Sequence, residues 1–121
     1  MSSATLIIGA SPKPHRYAYR ALIALQSHQH AVVLFSPKGG QISGLQVQTD
    51  FKGITLAIDT VTLYVNPQRL APLLADIIAL KPRRVIFNPG TESPEAAQQL
   101  RHAGIEAIQD CTLIMLREAY Y

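Results

Sequence analysis

The sequence predicts one α/β domain over residues 1–121: a doubly wound, mostly parallel five-stranded sheet with helices on both faces. Short apolar runs rich in β-branched residues alternate with longer stretches of helical periodicity, a pattern typical of parallel sheets. The first apolar run ends at Gly9 and a helical stretch follows, which is the strand–turn–helix order that brings a helix N-terminus to a phosphate. With 121 residues, 48% of them hydrophobic, the chain is long enough to bury one core.

The predicted elements alternate along the chain. The predicted strands are Thr5–Ile8, Ala31–Phe35, Val61–Val65, Val85–Phe87 and Ile105–Ile108, with a further short extended piece between Ile42 and Val47. Helical periodicity covers residues 17–28, 67–81 and 94–103, and a last segment runs from 110 to 118. Asn66 and Ser93 are the expected N-caps of two of these helices, because each precedes a proline in the first turn.

Four loops that follow predicted strands form the candidate ligand site. In doubly wound sheets, ligands bind outside the carboxyl ends of the strands, where the strand order reverses. These loops contain small, polar or rigid residues, namely Gly9-Ala10-Ser11, Ser36-Pro37-Lys38, Asn66-Pro67 and Asn88-Pro89-Gly90. The same residue types dominate ordinary turns, so it is the fold that links the four loops into one site.

The first of these loops has the chemistry of a phosphate site. Gly9 lacks a Cβ atom, so a ligand can approach its backbone closely. Lys13, Arg16 and Arg20 add positive charge beside the predicted helix start. A strand that ends in glycine only to make a turn remains the structural alternative.

The second loop lacks the acid that dinucleotide-binding domains place at the end of their second strand. This chain has Lys38 there, and the nearest downstream acid is Asp50. A lysine suits a phosphorylated ribose, either the 3′-phosphate of coenzyme A or the 2′-phosphate of NADP, and it disfavours NAD. Lys38 as an ordinary solvated turn lysine is the alternative.

Taken in order, these motifs resemble those of the small single-domain CoA-binding proteins, which are related to the CoA-binding domain of the succinyl-CoA synthetase α subunit. The matching segments extend over nearly the whole chain and are Gly9-Ala10-Ser11-Pro12-Lys13-Pro14, Arg16-Tyr17, Tyr19-Arg20, Phe35-Ser36-Pro37-Lys38, Gly44-Leu45, Pro89-Gly90, Glu95-Ala96-Ala97, Ala103-Gly104 and Cys111. The resemblance implies a Rossmann-like fold that holds CoA or an acyl-CoA across the strand ends. It places the pyrophosphate in the Gly9–Lys13 loop and the adenosine near the second-strand loop.

The chain departs from the family pattern in three places, one of which is the stretch from Gly40 to Thr60, where the sequence shows no clear short helix. The family often has an arginine just after the third strand, where this chain has Tyr64-Val65-Asn66. It often has Asp-Arg-Cys where this chain has Gln109-Asp110-Cys111.

Charge and composition exclude several other classes. The net charge of +3 is scattered, which fits a small phosphorylated ligand better than a nucleic acid. The single cysteine excludes an internal disulfide and favours a reducing compartment. No apolar run reaches membrane-spanning length, so we expect a cytoplasmic protein.

The sequence does not favour catalysis. The four histidines are not paired at metal-ligand or triad spacing. Glu92 has no evident nucleophile or second carboxylate as a partner. We expect Cys111 to be a structural thiol, with exchange against the CoA thiol as the alternative. Two functions remain: non-catalytic binding of CoA or an acyl-CoA, and NADP-type nucleotide binding or redox sensing.

Overall fold

The computed structural model describes residues 3–121, and within that range seven strands form one sheet. The strands are β1 (Ala4–Ile8), β2 (Ala31–Phe35), β3 (Gln41–Ile42), β4 (Leu45–Gln48), β5 (Ile58–Leu63), β6 (Arg84–Phe87) and β7 (Glu106–Gln109). Their order is β3-β4-β2-β1-β5-β6-β7, and neighbours are parallel except for β3 and β4. The predicted α/β class with a mostly parallel sheet is confirmed.

The prediction of five strands is two short, because the extended piece expected between Ile42 and Val47 forms two strands, β3 and β4, that make a small hairpin at one edge of the sheet. Strand β3 has only two residues, and β4 alternates apolar residues with glutamines, so neither gives a strong apolar run. Ser43 and Gly44 make the turn, with φ of 52° and 79°. The predicted strand Val61–Val65 is also displaced, since β5 covers Ile58–Leu63.

Five α-helices are present among the described residues: α1 (Tyr17–Ser27), α2 (Pro67–Leu70), α3 (Leu74–Ala79), α4 (Pro94–His102) and α5 (Thr112–Arg117). The helix predicted over residues 67–81 is split, with a 3₁₀ turn at Ala71–Leu73 between α2 and α3. Pro72 lies in that turn and has no N–H to continue the α-helical ladder. No helix within residues 3–121 is long and apolar enough to cross a membrane.

Both predicted N-caps are confirmed. The Asn66 side chain accepts a hydrogen bond from the backbone N–H of Arg69 at 2.8 Å. The Ser93 hydroxyl accepts one from the backbone N–H of Ala96 at 3.2 Å. These caps fix where α2 and α4 begin, and therefore where the two helices meet the edge of the sheet.

Helices cover both faces of the sheet. On one face, Ile7 and Leu34 pack against Leu22 and Leu25 of α1 and Leu116 of α5. The core of the opposite face joins strands β1, β5 and β6 to helices α2, α3 and α4; among its most buried residues are Leu6, Ile8, Val61, Leu63, Phe87, Leu70, Ile77 and Leu100. Alternation along each strand sends successive side chains to opposite faces.

The strand order reverses beside β1. The chain leaves β1 toward β2 and then returns to β5 on the other side of β1. Since β1, β2 and β5 are parallel, their carboxyl ends share one edge of the sheet. This is the edge at which doubly wound proteins hold their ligands.

Candidate functional site

A cleft of about 950 Å³ opens at the carboxyl ends of β1, β2 and β5. Its walls come from the loops after these strands, the start of α1, and α2 with the turn that follows it. Besides Gly9–Lys13 and Ser36–Lys38, the lining residues are Ile8, Arg16, Tyr17, Ala18, Phe35, Thr49, Tyr64, Val65, Gln68, Arg69, Pro72 and Leu73. This volume suits a cofactor-sized molecule, for which clefts of about 300–1,000 Å³ are usual.

Gly9 is needed where β1 leaves the sheet. Its φ is +95°, and a Cβ atom there would lie 2.7 Å from the carbonyl oxygen of Tyr64. The N–H groups of Gly9 and Ala10 both donate to the carbonyl of Phe35, at 3.0 and 3.1 Å. The backbone of the neighbouring strand segment therefore fills the space that the sequence assigned to an approaching ligand.

The N-terminus of α1 opens toward the cleft without a capping side chain. Arg16 occupies the N-cap position but makes no side-chain cap, and the first turn contains no acid. Arg16, Tyr17 and Ala18 all line the cleft. The first N–H groups of a helix have no intrahelical acceptor, and the helix dipole makes this end positive. Unlike α2 and α4, α1 thus has no side-chain cap, and its first residues line the cleft.

The loop after β2 is fixed by its own backbone and side chains. The buried Ser36 hydroxyl accepts a hydrogen bond from the backbone N–H of Lys38 at 3.3 Å, and the N–H of Ser36 donates to Gln48 at 3.0 Å. Lys38 is exposed and lines the cleft. Asp50 instead caps a 3₁₀ turn by accepting from the N–H of Lys52 at 2.8 Å. Asp50, the nearest acid downstream of this loop, therefore caps the 3₁₀ turn and does not line the cleft.

The cleft is positively charged. Lys13, Arg16, Lys38 and Arg69 line it, and no aspartate or glutamate among residues 3–121 does so. Arg69 was not predicted from the sequence. It comes from α2, a few residues beyond Val65, near the place where the resembling family often has an arginine. The Asn66-Pro67 helix start was the signal that could have pointed to it, because the cap sets which side chains of the first turn face the sheet edge.

The structure brings two of the four predicted loops together. Every predicted residue from Gly9 to Tyr17 and from Ser36 to Lys38 lines the cleft. Arg20 does not line it: its guanidinium carbon lies 5.4 Å from the centre of the Tyr17 ring, so it supports that ring instead.

The predicted residues of the other two loops lie outside this cleft. Asn66 caps α2, and Pro67 lines a neighbouring cleft. Pro89 and Gly90 are exposed and line neither.

Asn88 is an internal structural residue. Its amide nitrogen donates to the Thr62 hydroxyl at 2.6 Å and to the Leu63 carbonyl at 2.8 Å. Its amide oxygen accepts from the backbone N–H of Thr112 at 2.9 Å. With only 2% of its surface exposed, Asn88 ties β5, β6 and α5 together.

Tyr64 connects this internal network to the cleft. It is half-buried and lines the cleft. Burial raises the pKa of Tyr64 to about 12, and the nearby hydroxyls of Thr62 and Thr112 offset part of this effect. The phenol is therefore neutral at physiological pH and can act as a hydrogen-bond donor. Cys111, at the start of α5, is not among the described residues that line the cleft.

Comparison with known proteins agrees with the observed fold. A family model described as a CoA binding domain matches residues 3–117. A crystal structure of a protein of uncharacterised function shares 42% identity with a TM-score of 0.93, over 100% of this chain and 99% of that one. The cell-free protein ID.343 from Thermus thermophilus shares 22% identity at a TM-score of 0.90, covering 99% of this chain and 91% of that one.

A larger enzyme contains the same fold. The dinucleotide forming acetyl-coenzyme A synthetase 1 of Ca. Korarchaeum cryptofilum matches 87% of this chain with 25% of its own length, at 16% identity and a TM-score of 0.72. At this identity the likeness concerns the fold alone. The match of the family model over nearly all of the sequence decides the relationship: the chain belongs to the CoA binding domain family.

Proposed function

We propose that this protein binds coenzyme A or an acyl-CoA, without transforming it, in the cleft at the ends of β1, β2 and β5. The observation that carries the proposal is the charge of this cleft: four cationic side chains and the uncapped start of α1, with no acid in its described lining. CoA has a pyrophosphate and a ribose 3′-phosphate, and such a cleft attracts both.

The pyrophosphate belongs at the start of α1. Lys13 and Arg16 line the cleft together with Tyr17 and Ala18, the first residues of α1, whose N-terminus has no side-chain cap. The N–H groups of Gly9 and Ala10 already donate to Phe35. The contacts to the pyrophosphate therefore come from the helix start rather than from the first two residues of the loop.

The ribose phosphate belongs at the loop after β2. Lys38 is the cation of that loop, and the Ser36 hydroxyl holds its backbone in a turn. The missing acid disfavours an unmodified ribose such as that of NAD. A 2′-phosphate, as in NADP, would meet the same lysine, so NADP-type binding is the second candidate.

Among residues 3–121, no aspartate, glutamate, histidine or cysteine lines this cleft. Glu92 lies outside it and accepts a hydrogen bond from the backbone N–H of Gly90 at 2.9 Å. A general base needs a reacting proton within hydrogen-bond reach. A binding role therefore fits the geometry better than an enzymatic one.

Titration calorimetry with CoA, dephospho-CoA, NADP and NAD tests this proposal. We expect CoA to bind and NAD to show no detectable binding. Lys38→Ala should weaken CoA about tenfold or more, as expected for loss of a charged hydrogen bond, and leave dephospho-CoA unchanged. Lys52→Ala, which removes an exposed lysine outside the cleft, is the matched control.

Two results would overturn parts of this proposal. Binding of NADP without binding of CoA would favour the second candidate. Equal weakening of CoA and dephospho-CoA by Lys38→Ala would remove Lys38 from the ribose phosphate site.

A further inference from the structure

A second cleft, of about 380 Å³, lies beside the first, between α2 and the start of α4. Pro67, Ala71 and Leu74 form one of its walls, at the spacing of one helical face. Gln68, which is exposed, lines both clefts. The two clefts are therefore neighbours, separated only by the ridge of α2 and the turn that follows it.

The two clefts have opposite charge. Lys13, Arg16, Lys38 and Arg69 line the first cleft. Glu92 and Glu95 line the second, and no lysine or arginine of the described chain does so.

The two acids of the second cleft keep their charge available to a ligand. The Glu92 carboxylate is held at the rim by the backbone N–H of Gly90, at 2.9 Å. Glu95 lies in the first turn of α4, where an acid is favoured by the helix dipole. Neither forms a salt bridge with another residue in the range 3–121. An anionic group that enters this cleft would therefore lie beside two carboxylates that have no cationic side-chain partner within residues 3–121.

We propose that the second cleft receives the acyl end of an acyl-CoA and selects uncharged acyl groups over those that carry a carboxylate. The inference rests on the CoA binding proposed above. CoA has its phosphates at one end and a long, uncharged arm with two amide groups at the other. The phosphates suit the basic cleft, and the uncharged arm can extend over the ridge of α2 into the second cleft, which has no lysine or arginine in its described lining. The Gln68 amide can donate to and accept from the amides of the arm as it crosses the ridge.

The shape of the second cleft supports the same occupant. Ala71, Leu74, Pro94 and Ala96 give it apolar surface near the acids. Short aliphatic acyl groups can bury carbon against these side chains. A carboxylate at the end of the acyl group would instead be placed beside Glu92 and Glu95 and repelled.

Calorimetry with CoA, acetyl-CoA, butyryl-CoA and succinyl-CoA tests this selectivity. We expect acetyl-CoA and butyryl-CoA to bind at least as tightly as CoA, and succinyl-CoA about tenfold more weakly. The double variant Glu92→Gln/Glu95→Gln should bind succinyl-CoA as tightly as acetyl-CoA. Glutamine at position 92 keeps an oxygen that can accept from Gly90, so the loop keeps its hydrogen bond.

A second pair of variants tests occupancy of the cleft itself. Ala71 is exposed and helical in φ and ψ, so Ala71→Trp can fill the cleft without backbone strain. We expect Ala71→Trp to weaken butyryl-CoA about tenfold and CoA by less than threefold. Ala79→Trp, an exposed helical alanine that lines neither cleft, is the control and should change neither ligand.

The outcomes separate this inference from the proposed function. If wild-type protein does not bind CoA, the proposed function fails. If CoA binds but succinyl-CoA binds as well as acetyl-CoA, the selectivity is wrong. If Ala71→Trp weakens CoA and butyryl-CoA equally, or neither, the acyl end lies elsewhere and the inference fails while CoA binding stands.

Discussion

Replacing Gly9 with alanine should destabilise the fold through contact with the neighbouring strand segment. The residue has φ of +95°, and an added Cβ would lie 2.7 Å from the Tyr64 carbonyl oxygen and 3.0 Å from a methyl carbon of Val65. A left-handed conformation costs a non-glycine residue about 1–2 kcal/mol. Crowding against backbone that cannot rotate away adds about 1–3 kcal/mol. We therefore expect Gly9→Ala to lower the free energy of unfolding by about 2–5 kcal/mol, a large part of the roughly 5–15 kcal/mol of a typical domain.

Gly104→Ala is the matched control for this prediction. Gly104 also has positive φ, +80°, but a Cβ there would meet no atom within 4 Å. It should therefore lose only the conformational part, about 1–2 kcal/mol. Urea unfolding measures both variants, provided that the slope with denaturant is unchanged. Equal losses for the two would refute the packing argument. If Gly9→Ala then weakened CoA binding, close approach of the ligand would be the reason for this glycine.

Three further predictions concern residues near the same sheet edge. Asn88→Ala should lower the free energy of unfolding by about 2–5 kcal/mol, because it leaves the buried carbonyl of Leu63 and the buried N–H of Thr112 without this hydrogen-bond partner. The same variant should leave CoA affinity within about threefold in calorimetry. Burial raises the pKa of Tyr64 from 10.0 to about 12, so the contribution of the neutral phenol to stability is complete below pH 10 and lost as pH rises through 12. Between these pH values, the free energy of unfolding should therefore fall less in Tyr64→Phe than in wild type. Parallel curves for the two proteins would show that burial does not shift this pKa. Cys111→Ser should raise the free energy of unfolding by about 0.5–1 kcal/mol, because serine is a better N-cap for α5. It should leave CoA affinity within about threefold. If oxidised CoA forms a mixed disulfide with wild type but not with the variant, the Cys111 thiol is reactive and this prediction is wrong.

Much of the fold could be predicted from the sequence because strands such as β1 and β6 are buried on both faces. Parallel strands of this kind are continuous apolar runs, such as Thr5–Ile8 and Val85–Phe87, and these stand out without any tertiary information. The edge hairpin of β3 and β4 is different. Its residues are half polar and its turn depends on Ser43 and Gly44, so local periodicity indicated an extended piece between Ile42 and Val47 but did not resolve it into two paired strands.

The candidate site was predicted in part, for a similar reason. Segments that are contiguous in the chain, such as Gly9–Lys13 and Ser36–Lys38, have recognisable turn chemistry and lie where the fold places them. Tyr64 and Arg69 come instead from a strand end and a short helix whose orientations are set by packing. Asn88 is the opposite case, because the sequence predicted it as a ligand-binding residue and the structure places it in the core. An asparagine after a strand looks the same in sequence whether it faces a ligand or, as here, hydrogen-bonds within the core.

The hydrogen bonding of Asn88 also accounts for the absence of the loop after β6 from the lining of the basic cleft, as far as residues 3–121 show. Helix α5 begins at Cys111 without a side-chain cap, so the N–H of Thr112 needs an acceptor from another element. Asn88 supplies it, and the loop after β6 is committed to the core. Helix α1, which follows the central strand β1, also lacks a side-chain cap, but its start lines the basic cleft. Under the proposed function, a phosphate of CoA would accept hydrogen bonds from the first N–H groups of α1, just as the Asn88 side chain accepts one from the N–H of Thr112 in α5. The proposed path of the CoA arm then runs over α2, where Gln68 lines both clefts, and not over the loop after β6.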